Sequence, residues 1–277
     1  PAAKQLGLKI IIDVTSLPIR INQSLLLNEW QKYPDWEKLD KQISTETLET
    51  LEKREHEEWK YADTLVCGSE FVKQKIKESG GPVEKCKVVP YGFENPLFEK
   101  IDRRRDLSER PLRVLTVGNV SLGKGVHYVS EVAKRLQKHF EFRIVGPIKV
   151  SEYGLKQLQK YTHLTGQVPR IEIPGHFEWA DVFLFPSLSE GSAGVTYEAL
   201  ASGLPVICTP NSGSIVRDGI EGYIVDTGDV DAMVEHLEHL RASPVTRKEM
   251  SEAAYNRITD FGTEEYAQRL LSAITQT

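Results

Sequence analysis

Apolar residues along this chain fall into two rhythms. One is a short unbroken run of strand length; the other is a spacing of three and four between polar residues. Residues 8–14 (LKIIIDV) form the first run, rich in Ile and Val. It reads as a strand buried on both faces, as in a parallel sheet. Residues 20–62 are polar and helical, with Ser44 or Thr45 placed to cap a helix through Tyr61. TLVC (64–67) is a short strand. Ser69 then caps a helix that ends at Gly80-Gly81, and KVVP (87–90) is a further strand.

From 93 to 110 the periodicity breaks at Pro96, at the charge run Asp102–Asp106 and just before Pro111, which reads as an interdomain linker. Beyond it the rhythm alternates. Strands are expected at 112–118, 142–146, 163–165 (weakly), 181–185, 205–209 and 223–226. Helices are expected at 126–139, 151–161, within 169–180, at 194–203 and from 229 to about 273. Such alternation implies right-handed crossovers and an α/β, doubly wound parallel sheet. The domains read as 1–92, a partial N-terminal α/β domain; 93–110, the linker; 111–260, a Rossmann-like domain; and 261–277, a C-terminal helix packing back on the first domain. Only about 90 residues precede the linker, where a whole Rossmann-like domain needs roughly 150, so the first strands of that domain are expected to be missing.

Composition changes this picture little. The formal net charge is −5, which argues against nucleic acid as the main partner. Cys67, Cys86 and Cys208 show no metal spacing, and an odd number cannot all pair, so a reduced, cytoplasmic chain is expected. No apolar run is long enough to span a membrane. Lys73, Lys75 and Lys77 share one helix and leave open a peripheral membrane contact, although a solvated face explains them as well.

The densest stretch of candidate chemistry follows the apolar run Val182–Phe185. There Glu190 and Glu198 bracket seven small or neutral residues across a strand-to-helix corner. Gly191, Ser192, Ala193 and Gly194 let a ligand approach the backbone, and a helix start offers unpaired N–H groups to an anion. Two carboxylates can act as general acid and base, or can hold sugar hydroxyls; a loop acid and an exposed helix acid are the plainer alternative. Gly118-Asn119-Val120-Ser121-Leu122-Gly123-Lys124-Gly125 fits a phosphate-loop pattern, except that Gly125 stands where Ser or Thr would hold Mg²⁺. A glycine-rich turn with Lys124 neutralising phosphate survives that objection, beside a simple βα turn. Gly146-Pro147 and Gly166-Gln167-Val168-Pro169 could frame a base. Asn211-Ser212-Gly213-Ser214 could cap a helix or touch ligand. His236 and His239 lie three apart with no third ligand nearby, which fits a solvated face better than a metal site.

Taken in order, these motifs resemble the nucleotide-sugar-binding half of a GT-B glycosyltransferase of the retaining family four (glycosyl transferases group 1). PSLSEGSAGVTYEALASGLPVI is similar to that family's E-x7-E block, with Glu190 and Glu198 as its acids. GNVSLGKG is similar to its lysine-bearing turn, and SGSIVRDGIEGYIV to the block that follows. The resemblance covers about 60–228 and implies a GT-B fold whose acceptor-side domain is incomplete here. It implies a nucleotide diphosphate sugar as co-substrate, a glycan or lipid-linked acceptor, retention of configuration, and no metal or other cofactor. Lys124 would bind the diphosphate, Glu198 the ribose hydroxyls and Glu190 those of the transferred sugar. Backbone N–H groups of Ala193, Gly194 and Val195 would meet the distal phosphate. The implied donor site is completed by Gly118, Asn119, Gly123, Gly146, Gln167, Val168, Ser187 and Ser192, with Glu190 and Lys124 as its catalytic pair. Three departures stand out: Asn119 where the family usually has arginine, Ser192-Ala193-Gly194 for the commoner Phe-Gly-Leu, and no histidine in 13–20. They motivate a second expectation, an inactive nucleotide-sugar-binding protein or partner subunit. A phosphorylase or epimerase on the same fold is a third.

Overall fold

The computed structural model describes residues 2–37, 44–94, 97–98 and 110–275. Most of the expected linker, and residues 276–277, lie outside the described residues.

The first half comprises α1 (Ala2–Gln5), β1 (Ile11–Val14), α2 (Ile19–Lys32), α3 (Thr45–Tyr61), β2 (Thr64–Cys67), α4 (Glu70–Glu78) and β3 (Cys86–Val88). Its three strands form a parallel sheet in the order β1-β2-β3. Ser44 and Ser69 cap α3 and α4, accepting from the N–H groups of Thr47 and Val72. The expected strand at 8–14 forms only over its second half. It is not buried on both faces: Ile11 is 41% exposed, and β1 lies at an edge of its sheet among the described residues.

In the second half the elements are β4 (Leu112–Val117), α5 (Val126–Leu136), β5 (Phe140–Val145), α6 (Glu152–Gln159), β6 (His163–Gly166), α7 (Ile173–Trp179), β7 (Val182–Phe185), α8 (Gly194–Ala201), β8 (Val206–Cys208), β9 (Gly222–Ile224), α9 (Val230–Ala242), α10 (Pro244–Ile258) and α11 (Thr263–Thr275). The sheet is wholly parallel in the order β6-β5-β4-β7-β8-β9. Side-chain parity divides the strands between two cores. Leu112, Val114, Phe142 and Ile144 face α5 and α9, whereas Leu115, Val117 and Val145 face α7, α8 and α10. Sequence order reverses between β4 and β7, so the crevice beyond their carboxyl ends is where such a sheet takes a ligand.

One connection breaks the expected alternation. Between β8 and β9 there is no α-helix, only a single 3₁₀ turn at Pro210–Ser212. Ser212 donates its hydroxyl to the Thr209 carbonyl instead of capping a helix, and Ser214 caps none either, its hydroxyl accepting from the Val216 N–H.

Residues of the first half reach deep into the second. Trp36, just past α2, is buried in the α5-side core. Its carbonyl accepts the Ser151 N–H at 2.7 Å. At the far end, α11 returns towards the first half: Arg269 donates to the Pro90 carbonyl, and Lys9 to that of Ile274.

Candidate functional site

Val117, Val145 and Phe185 end strands β4, β5 and β7, and they form the apolar floor of a cavity of about 600 Å³. The walls are the loops that follow those strands. Gly118 donates to the Val145 carbonyl and Gly146 to that of Gly166, each at 2.9 Å, which ties the turns after β4 and β5 to the turn after β6, whose Gln167, Val168 and Arg170 also line the cavity.

The lysine turn is fixed against the Glu190 loop. A 3₁₀ turn at Leu122–Lys124 ends on Gly125 in the left-handed region (φ 69°). A β-carbon at Gly125 would lie 2.1 Å from the Pro186 carbonyl oxygen, so glycine is required for both conformation and space. From the other side, Leu188 donates its N–H to the Gly123 carbonyl at 2.9 Å. Ser187, fully buried, sets its hydroxyl within reach of the same carbonyl and of Glu190 Oε1. Glu190 forms an ion pair with Lys124.

Asn211 holds the loop from behind. Its carbonyl accepts the Glu190 N–H at 3.0 Å, and its side-chain amide donates to the Leu188 carbonyl at 2.8 Å. The 211–214 stretch therefore braces the site from outside the cavity. The first half of the chain braces it too. Ser69 donates to the Gly191 carbonyl, Ser189 to Asn22, and a β-carbon at Gly191 would lie 2.0 Å from the Thr15 carbonyl oxygen. The 13–20 stretch thus lies directly against the Glu190 loop.

Glu198 lies on α8, a helix whose other residues are mostly buried between the sheet and α10. It is only 8% exposed and lines the cavity, so it is not the exposed helix acid that spacing allowed. Burial pushes its carboxyl above the usual range, and Arg170, ion-paired to it, pulls the other way. The start of α8 has no side-chain cap. The Ala193 N–H is already taken by the Ser212 carbonyl at 3.0 Å, which corrects the expectation that all three first-turn amides serve an anion. Gly194 and Val195 begin the helix and have no intrahelical acceptor for their N–H groups.

Of the residues expected at this site, Gly118, Asn119, Lys124, Gly146, Gln167, Val168, Glu190, Ala193, Gly194, Val195 and Glu198 surround the cavity. Gly123 and Ser187 stand behind its wall. Ser192 turns away to Tyr197, with the two hydroxyl oxygens 3.1 Å apart, and packs near Gly68. Sequence reasoning missed Arg170. A lone arginine in a polar loop carries no periodic signal, and only its position just after Gly166-Gln167-Val168-Pro169 could have marked it. His236 stacks on Tyr223 at 3.8 Å between ring centroids, and no group of residues suited to a metal occurs among the described residues.

The class that this fold and crevice define is GT-B, the two-domain α/β architecture of many glycosyltransferases. Residues 111–243 match the profile of the family described as glycosyl transferases group 1. Among individual relatives, the amylovoran biosynthesis glycosyltransferase AmsK of Erwinia amylovora is 31% identical over 189 residues, covering 62% of this chain and 46% of the relative. The putative colanic acid biosynthesis glycosyltransferase WcaL of Salmonella typhimurium is 28% identical over 233 residues, covering 78% and 57%. The chain spans about half the length of these curated relatives. Anabaena HepE, solved with UDP and glucose, superposes with a TM-score of 0.74 at 15% identity, over 100% of this chain and 74% of HepE. Sucrose-phosphate synthase of Thermosynechococcus elongatus gives 0.74 at 19%, over 99% and 70%.

Proposed function

We propose that this chain serves a glycosyltransferase that moves a sugar from a nucleotide diphosphate donor to a saccharide or lipid-linked acceptor, with retention of configuration. The observation that carries this reading is the grouping of Lys124, Glu190, Glu198 and the uncapped start of α8 around one crevice at the carboxyl ends of the strands. Biosynthetic glycosyltransferases among the relatives, and the UDP held by HepE, support it.

In this reading the two glutamates hold substrate and do not shuttle protons. Each ionised carboxylate accepts two or more hydroxyl donors. Glu198 takes the ribose diol, and Glu190 takes hydroxyls of the sugar that leaves. Negative charge grows on the diphosphate as the sugar–oxygen bond breaks. Lys124 and the free amides of Gly194 and Val195 meet that charge, aided by the helix dipole. Lys124 pairs with Glu190, so donor binding exchanges one partner for another. Asn119 adds a neutral amide beside Lys124 where a second cation would bind the diphosphate more tightly. No metal is part of this reading: Lys124 and the helix-start amides meet the charge of the diphosphate. A cytoplasmic setting with peripheral contact at a membrane carrying lipid-linked acceptors belongs to the same proposal; among the described residues no helix is long and apolar enough to cross a membrane.

Titration of UDP, GDP and ADP against the protein and its Glu198→Ala variant tests the donor site. Binding of one of them at micromolar concentration, weakened in the variant, is the expected result; no binding below millimolar defeats the reading. Transfer or hydrolysis of radiolabelled donor then separates an enzyme from a silent binding protein.

A further inference from the structure

Arg170 sits in the 3₁₀ turn Arg170–Glu172 between β6 and α7, on the lip of the crevice. Its ion pair with Glu198 runs through one nitrogen and one oxygen, Nη2 to Oε1. Its guanidinium carbon lies 5.6 Å from the centroid of the Phe98 ring. That ring is itself fixed edge-on against Phe93 and Phe177. The arginine is thus half in solvent, but its guanidinium is held by a carboxylate and by an aromatic face.

Glu198 needs such a partner. Its carboxyl is nearly buried, and an isolated buried carboxylate neutralises itself by taking a proton. A neutral carboxyl presents one O–H donor and has lost acceptor capacity, so it no longer matches two hydroxyls that both donate. An ionised one, with Oε1 given to Arg170, still offers Oε2 and further lone pairs.

We propose that Arg170 is a positioning residue of the nucleotide site: it keeps Glu198 ionised and oriented so that the carboxylate can accept the vicinal 2′- and 3′-hydroxyls of a ribonucleoside diphosphate. The proposal rests on the donor-site reading above and adds to it the group that makes ribose recognition work. Arg170 stays paired throughout and touches Glu198 rather than the reacting atoms.

The test compares the nucleoside diphosphate that binds best among UDP, GDP and ADP with its 2′-deoxy form, by calorimetry across pH 5 to 8.5. The protein, Arg170→Ala, Arg170→Gln, Arg170→Lys and Glu198→Gln are measured, with thermal melts to establish folding. The unaltered protein should prefer the ribo form by about tenfold or more. Lowering the pH should erase that preference as Glu198 takes a proton. In Arg170→Ala and Arg170→Gln the loss should occur at a higher pH, and Arg170→Lys should restore part of the difference. Glu198→Gln should show a small preference independent of pH. If the unaltered protein discriminates but the Arg170 variants keep its preference and pH profile, the arginine has no such role and the donor-site reading stands. Tighter binding in Arg170→Ala would also overturn the proposal, making the arginine a competitor for Glu198. If the unaltered protein binds ribo and deoxy forms equally, or binds no nucleotide, the placement of ribose at Glu198 fails and the proposal fails with it.

Discussion

Glu29 of α2 accepts hydrogen bonds from both His127 and Tyr128, neighbours at the start of α5, and so joins the two halves of the chain through one buried carboxylate. Burial alone would raise the Glu29 carboxyl, but the two hydrogen bonds outweigh it and hold the group below the usual range. Burial pushes His127 down, so the neutral ring donates from Nε2 at 2.6 Å. Glu29→Ala would leave two buried donors without their acceptor. We expect a loss of about 2–4 kcal/mol in chemical unfolding, with Glu29→Gln costing less. Because the folded pKa is depressed, the carboxylate's contribution is complete above about pH 4.5 and is lost as the pH falls through the folded value. Acid titration of the unfolding midpoint should show this loss in the unaltered protein and not in Glu29→Ala.

Gly191 and Gly175 predict opposite outcomes for the same substitution. At Gly191 a β-carbon would collide with the Thr15 backbone, and the loop carrying Glu190 would have to move. Gly191→Ala should lower stability by about 1–3 kcal/mol and weaken nucleotide binding, because the displaced loop carries Lys124's partner. At Gly175, within α7, nothing lies within 4 Å of the added carbon. Gly175→Ala should stabilise by about 0.5–1 kcal/mol and leave binding unchanged. Thermal melts and nucleotide titrations of both variants check the pair.

Lys124 should read charge on the ligand. Lys124→Ala should weaken binding of a nucleoside diphosphate by about 10- to 100-fold, a loss that shrinks for the uncharged nucleoside. Equal losses for both ligands would mean that the lysine acts by shaping the loop.

Glu55 gives the chain a second pH dependence, of opposite sign. Its carboxylate receives the N–H of Ile19 at 3.3 Å, at the first turn of α2. Burial, with Glu52 and Glu58 nearby, raises its pKa from 4.5 to about 7. The folded chain then binds more protons than the unfolded chain between these values, so stability falls as the pH rises from about 4.5 to about 7. The group is partly exposed, and solvent screening limits the effect to about 1 kcal/mol. Glu55→Gln should flatten this part of the stability profile, measured by urea unfolding at pH 5 and 7.5.

The periodic parts of the fold were legible in the sequence, because a strand such as Leu112–Val117 or a helix such as Val126–Leu136 writes its burial into its own residues. Failures came where partners distant in sequence decide. The run at 8–14 looks like a central strand, but its exposure depends on which strands flank it, and β1 lies at an edge. Ser212 has the chemistry of a cap, yet the direct passage from β8 to β9 leaves no helix to cap. Glycine spacing and paired acids pointed to the rim of the crevice. Nothing local revealed that Ala193's amide is taken by Ser212, or that Arg170 crosses to Glu198.

Trp36 has a bearing on how this molecule can be dissected. It belongs in sequence to the first half, yet its side chain is buried in the same core as Leu122, Val126 and Val129, its ring meets His127 and Tyr153 edge-on, and a β-carbon at Gly154 would lie 3.0 Å from it. Across the sheet, α10 adds Ala254 and Ile258 to the other core. The segment 111–243 cut out alone would therefore carry an indole-sized hole on one side and a bare helix face on the other. Removing a buried indole by Trp36→Ala costs about 3–5 kcal/mol, a large part of what a domain of this size has to spare. The crevice therefore depends for its packing on α2 and its tail and on α10, and a stable fragment should be drawn to include them.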